Sequence, residues 1–134
     1  MAETHPGLEP GLSFTVEHVV KEENLASSFG NPGVEVLATP YIIAWMEEAA
    51  RELALRYIPK DQSTVGIAVS IRHRAAASLG ANVRATVTLR VVKERHLFFD
   101  VVAESEKGTI AEGSLERYIV PRERFVAEAR SQGS

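Results

Sequence analysis

Cysteine is missing altogether from these 134 residues. Its absence removes disulfides, thiolate metal sites and cysteine nucleophiles together, and it points to a reducing compartment. Also missing is any apolar run near the roughly 20 residues that a membrane span needs. The start, Met1 to Pro6, has no basic stretch followed by an apolar core, so no secretory signal is expected and the cytoplasm is the expected location. Basic residues are outnumbered, 15 against 18 acidic, for a net charge of −3, and the two signs are mixed along the chain. Nucleic-acid binding wants a concentrated basic face, which this pattern does not supply. The four histidines are scattered without ligand spacing, so no metal site is expected. Neither a Gly-x-Ser-x-Gly nucleophile elbow nor a phosphate-cradling glycine loop occurs.

What is present is ordinary globular composition, 45% hydrophobic and 25% charged. A chain of this length fits one domain, burying about two-thirds of its unfolded surface. Residues 1–11 carry two prolines and two glycines and read as a flexible leader. From Leu12 the apolar residues alternate (Leu12, Phe14, Val16, then Val20 beyond His18), which predicts a strand. Residues 25–33 form a connection ending in Gly30-Asn31-Pro32-Gly33, with room for a short helical turn.

Thr39-Pro40 opens the one long helix, over about 40–57. Thr suits the N-cap and Pro the first helical position, and Pro59 enforces the stop. The early turns Tyr41-Ile42-Ile43-Ala44-Trp45-Met46 are apolar all round, which predicts a helix wrapped by other structure. Four strands follow. Val65, Ile67, Val69, Ile71 and His73 share one register of the first, facing inward. Val83 to Val91 alternate in the second, Leu97 to Ala103 in the third, and Thr109 to Val120 in the fourth. Turns are expected near Lys93-Glu94-Arg95 and Glu106-Lys107-Gly108, and Pro121 ends the last strand. Residues 122–130 read as a short polar helix or a frayed end. The sum is an α+β fold, one helix against an antiparallel sheet of about five strands whose consecutive members are neighbours. The domain is expected over 12–125, with a tail over 126–134.

Three residues carry candidate chemistry. Glu47 shares its helical face with Ile43, Ala50 and Ala54, so its carboxylate is drawn into or beside the core. It is either an ion pair with Arg51 four residues on, or a catalytic base or nucleophile. Glu48, on a face with Arg51 and Glu52, reads as solvated. His73 lies on an inward register, as a satisfied core histidine or a proton shuttle. Thr39 caps a helix, and a helix start is also a place for a developing oxyanion. His5, His18 and His96 lack comparable settings and read as structural.

Taken together these residues resemble the site of the fluoroacetyl-CoA thioesterase family, a branch of the hotdog-fold thioesterases. The resemblance covers residues 34–125. It is carried by Val36-Leu37-Ala38-Thr39, Trp45-Met46-Glu47, Gly66-Ile67-Ala68-Val69-Ser70-Ile71-Arg72-His73 and Leu115-Glu116-Arg117. It implies a hotdog fold, a curved sheet around a central helix, and hydrolysis of a small or medium acyl-CoA to free acid and coenzyme A. Thr39, Glu47 and His73 take the catalytic positions, Gly66 the place that seats the thioester, and Arg117 a contact with coenzyme A. No cofactor is implied beyond the coenzyme A of the substrate. A homodimer is implied, with a dimer of dimers as a further step. Fluoroacetate-specific members place bulky aromatics in the loop before the catalytic Thr. Here Gly30 and Gly33 hold those positions with Phe29 nearby, which implies a general or different short acyl group. The competing readings on the same fold are an acyl-CoA binder without catalysis and a hydratase or dehydratase.

Overall fold

The computed structural model describes residues 5–133, so residues 1–4 of the leader and residue 134 of the tail lie outside the described residues. The element order is β1 (Ser13–Val19), α1 (Thr39–Leu55), β2 (Gln62–His73), β3 (Asn82–Lys93), β4 (His96–Ser105), β5 (Gly108–Pro121) and α2 (Arg122–Gly133). Two 3-10 turns, Glu22–Asn24 and Ala26–Phe29, occupy the connection after β1. All five strands pair antiparallel in one sheet, in the order β1-β3-β4-β5-β2, and α1 lies against every strand.

The apolar side of α1 supplies the centre of the core. Ile42, Met46, Ala49 and Leu53 recur at helical spacing and are sealed from water, packed with Val87, Leu89, Phe99, Leu115 and Ile119 from the sheet. Each large aliphatic side chain buried this way contributes about 1.5–3 kcal/mol. Pro40 and Ala44 on the opposite side are exposed, so the wrapping expected all round α1 is incomplete in this chain. Leu8 corrects the leader in another way. It is buried in the core, and the Gly11 N–H donates to the Leu89 carbonyl, so the last part of the leader is docked onto the domain. At the other end α2 runs through residue 133, longer than the short helix the sequence suggested.

The expected neighbour relation fails at one place. β2 pairs with β5 and not with β3, so the connection over 74–81 crosses the sheet from one edge strand to the interior. Eight residues are too many for a tight hairpin, and they bridge back through Val36 to Ser78 and the Leu37 N–H to the Ala77 carbonyl.

A bulge in β2 decides which residues face the helix. Cross-strand partners share a face, and the partners run Gly66 to Arg117, then Ala68 to Glu116, Val69 to Leu115 and His73 to Ala111, with the register shifting between Gly66 and Ala68. Thr64 and Gly66 therefore face α1 before the bulge, and Val69, Ile71 and His73 face it after. Val65, expected inward, pairs with Tyr118 on the outer face, and Ile67 is half exposed. Without the extra residue, positions 66 and 73 would lie on opposite faces.

Gly113 marks the tightest approach at any glycine among the described residues. A Cβ there would sit 2.0 Å from the Ser70 carbonyl oxygen and 2.8 Å from the Ile71 Cα. Backbone cannot step aside as a side-chain tip does. Gly113→Ala is expected to cost about 3 kcal/mol, lowering the melting temperature by roughly 10 °C in a thermal melt; an unchanged melt contradicts this register.

Candidate functional site

Four elements meet along one flank of α1. The helix begins one residue earlier than its sequence suggests: Ala38 is the N-cap and Thr39 already helical, with Pro40 in the first turn. Thr39 therefore does not cap. Its Oγ1 lies 2.7 Å from His73 Nδ1 at the end of β2, a hydrogen bond between two groups 34 residues apart. The other ring nitrogen, Nε2, is buried without a partner among the described residues. A buried polar atom left open in this way is costly unless something arrives to pair with it.

The helix start has one amide in a similar condition. Four N–H groups at such a start have no helical acceptor. The Ala38 N–H donates to the Asn24 carbonyl, the Tyr41 N–H donates to Ala38, and Pro40 has none to offer. That leaves the Thr39 N–H without a backbone acceptor among the described residues, at the positive end of the helix dipole.

Two turns along, Glu47 projects from the same flank. The expected structural partner Arg51 does not take it; Arg51 is 3.6 Å from Glu52. Instead Glu47 Oε1 lies 3.7 Å from Arg117 Nη1, reaching in from β5. The carboxylate rests on Gly66: a Cβ on that glycine would come within 2.3 Å of Glu47 Oε1 and 3.3 Å of Arg117 Nη1. Arg117 is 6% exposed, and two of its guanidinium nitrogens donate to Thr64, Nε to Oγ1 at 2.8 Å and Nη2 to the carbonyl at 2.7 Å. Burial pushes the Arg117 guanidinium below its usual range, while the Glu47 carboxylate acts the other way and the Arg51 charge adds to the lowering. A guanidinium keeps its charge through such a shift, so Glu47 faces a fixed cation. Arg117 was expected to meet coenzyme A; its guanidinium is turned instead toward Thr64 and Glu47.

The sequence-predicted residues thus fall into two groups, Thr39 with His73 and Glu47 with Gly66 and Arg117. Eight residues of helix separate Thr39 from Glu47, about 12 Å along the axis. Helical side chains lean toward the N-terminus, which narrows the interval from the Glu47 side.

Sequence reasoning missed three features. Thr64 carried no signal, because its role depends on the β2–β5 register and the bulge beside it. His18 and Glu48, taken as structural and solvated, form a pair: Nε2 lies 2.7 Å from Oε1, and the imidazole stacks on Trp45 with ring centres 4.7 Å apart. His96 likewise meets Glu116 at 2.6 Å and stacks on Phe98, on the sheet face away from the helix. Both contacts join residues at least 20 apart in the chain, beyond the reach of local spacing.

Comparison with known proteins agrees with this fold. The sequence pattern of the family described as fluoroacetyl-CoA-specific thioesterase matches residues 20–123. The chain is 30% identical over 118 residues to the fluoroacetyl-CoA thioesterase of Streptantibioticus cattleyicolor, covering 88% of this chain and 82% of that one. A solved structure of a fluoroacetyl-CoA thioesterase superposes with a TM-score of 0.88 at 29% identity, over 93% of this chain and 97% of the other. A thioesterase superfamily member from Thermus thermophilus gives 0.87 at 27% identity, over 96% and 95%.

Proposed function

Because the chain belongs to the fluoroacetyl-CoA-specific thioesterase family, and is an acyl-CoA thioester hydrolase of the hotdog fold, we propose that Glu47, His73 and Thr39 carry its chemistry on a small or medium acyl group. The observation that carries this reading is the Glu47 carboxylate, seated on Gly66 before Arg117, on the flank where Thr39 and His73 are joined.

Hydrolysis adds water across the bond between carbonyl carbon and sulfur. Glu47 either attacks the carbonyl carbon, giving an acyl anhydride that water then opens, or takes a proton from a water that attacks directly. In both routes negative charge builds on the carbonyl oxygen, where the Thr39 N–H and the helix dipole stabilise it. The leaving thiolate needs a proton. Protonated His73 holds its Nδ1–H on Thr39 Oγ1 and offers its Nε2–H, the buried and unpaired position, to the sulfur. The Arg117 guanidinium orients the Glu47 carboxylate for the attack.

The acyl group has a place beside this site. Phe29, Pro40, Tyr41 and Ala44 line a groove of about 170 Å³ with no polar surface, on the exposed side of α1 one turn before Glu47. Phe29 stands edge-on to Tyr41 at 5.7 Å and is 56% exposed, so it is free to close on a chain lying there. Gly30 and Gly33 have open space where a side chain would be, so neither position covers the groove. Shortening Phe29→Ala is expected to lower kcat/KM for six- to eight-carbon acyl-CoAs about tenfold, the worth of roughly half a buried aromatic, and to leave acetyl-CoA within twofold. An equal loss for both chain lengths puts the acyl group elsewhere.

Two chains are also proposed to pair through the free edge of β2, where Ile67 and Val69 are exposed beside open backbone. Light scattering on a sizing column is expected to give twice 14.7 kDa; the single-chain mass at micromolar concentration rules the pairing out. Among the described residues, no helix is long and apolar enough to cross a membrane.

A further inference from the structure

We propose that Thr64 is a positioning residue for this reaction, fixing the guanidinium of Arg117 so that only Nη1 is left to face Glu47. The inference rests on the reading that Glu47 acts on the thioester, and it adds a residue that contacts neither substrate nor carboxylate.

Thr64 is a polar side chain at 4% exposure, with its hydroxyl and its own carbonyl both turned to one partner. An arginine side chain has several rotatable bonds and a planar head with five N–H donors. Anchoring Nε and Nη2 on one residue fixes both the plane and the direction of that head. The remaining nitrogen, Nη1, then points at Glu47 Oε1 across 3.7 Å, a separation that attracts the carboxylate without gripping it in a tight hydrogen bond. A carboxylate that must attack or take a proton needs that freedom.

The backbone explains why Thr64 sits there. Arg117 pairs with Gly66, and Thr64 pairs with Ile119 two residues along, so Thr64 and Arg117 are diagonal neighbours on the helix side of the sheet. Gly66 lacks the side chain that would otherwise stand between Arg117 and Glu47. The bulge follows at once, ending the register that holds the pair.

The test compares Thr64→Val, which keeps the shape and loses the hydroxyl, with Thr64→Ser, which keeps the hydroxyl. Each is assayed by thiol release from a saturating series of acyl-CoA, with Glu47→Gln as control and thermal melts alongside. Thr64→Val is expected to lower kcat about tenfold with KM within twofold, because orientation of Glu47 matters in the transition state more than in substrate binding. Thr64→Ser is expected to recover kcat to within twofold of the parent. An unchanged kcat in Thr64→Val overturns the proposal. So does a rise in KM at constant kcat, which marks a substrate-binding role, or a lowered melting temperature alone, which marks a structural one. If Thr64→Val does not fold, Thr64→Ala removes the same hydroxyl without added bulk and is judged by the same outcomes. Full activity in Glu47→Gln sinks the underlying reading instead, and is told apart by that control.

Discussion

Glu47→Gln is expected to lower kcat at least about a thousandfold while leaving the protein folded. The amide has the shape of the carboxylate but neither attacks a carbonyl nor accepts a proton, and a positioned base alone contributes about 10²–10⁴ in rate. Fold stability is a separate matter. Glu47 is about one-third exposed and its contact with Arg117 spans 3.7 Å, so losing the ion pair costs about 1 kcal/mol or less. Arg117 retains both bonds to Thr64. Steady-state thiol release with a melt on the same sample checks both halves. A kcat within tenfold of the parent leaves Glu47 a structural acid and returns the catalytic question to Thr39 and His73.

Gly66→Ala is expected to lower kcat about a hundredfold by a different route. The added methyl falls 2.3 Å from Glu47 Oε1, and the three nearest heavy atoms all belong to the Glu47 and Arg117 side chains. The guanidinium is anchored on Thr64, so the Glu47 carboxylate, a flexible tip, gives way and the strand stays where it is. The displacement lands on the reacting carboxylate, and a misplacement of about 1 Å costs on the order of 10² in rate. The melting temperature should stay within about 3 °C. This separates Gly66 from Gly113, whose added methyl meets backbone and must disturb the sheet itself. If Gly66→Ala keeps full activity, the carboxylate does not work from its seat against β2.

Much of this was legible in the sequence because it rests on local periodicity. The apolar face of α1, the alternation of five strands and the turns near Glu94 and Lys107 follow from spacing, and so do Glu47 and His73 as polar residues on apolar faces. Features set by long-range pairing were not legible. The bulge after Gly66 moves Val65 outward and brings Gly66 and His73 to one face, yet the period-two pattern through Val65, Ile67 and Val69 gives no sign of it. Strand order was misread at β2 because a connection of eight residues looks much like a long turn until its partner is known. Thr39 looked like a cap because capping is the usual use of a Thr before Pro; the competing acceptor, His73, lies across the fold. Arg51 looked like the partner of Glu47 by helical spacing, but Arg117 approaches from the sheet with its head already fixed. His18 escaped for the same reason, since Glu48 reaches it from another element.

The most direct test is a crystal structure with a hydrolysis-resistant acyl-CoA in which methylene replaces the thioester sulfur. The carbonyl carbon is expected within about 3–3.5 Å of a Glu47 oxygen, or of a water bonded to it, with the carbonyl oxygen toward Thr39 and the methylene toward His73 Nε2. An acyl group seated in the cleft beside His18 and Trp45, or on the outer sheet face beside Phe98, with Glu47 touching only Arg117, contradicts it.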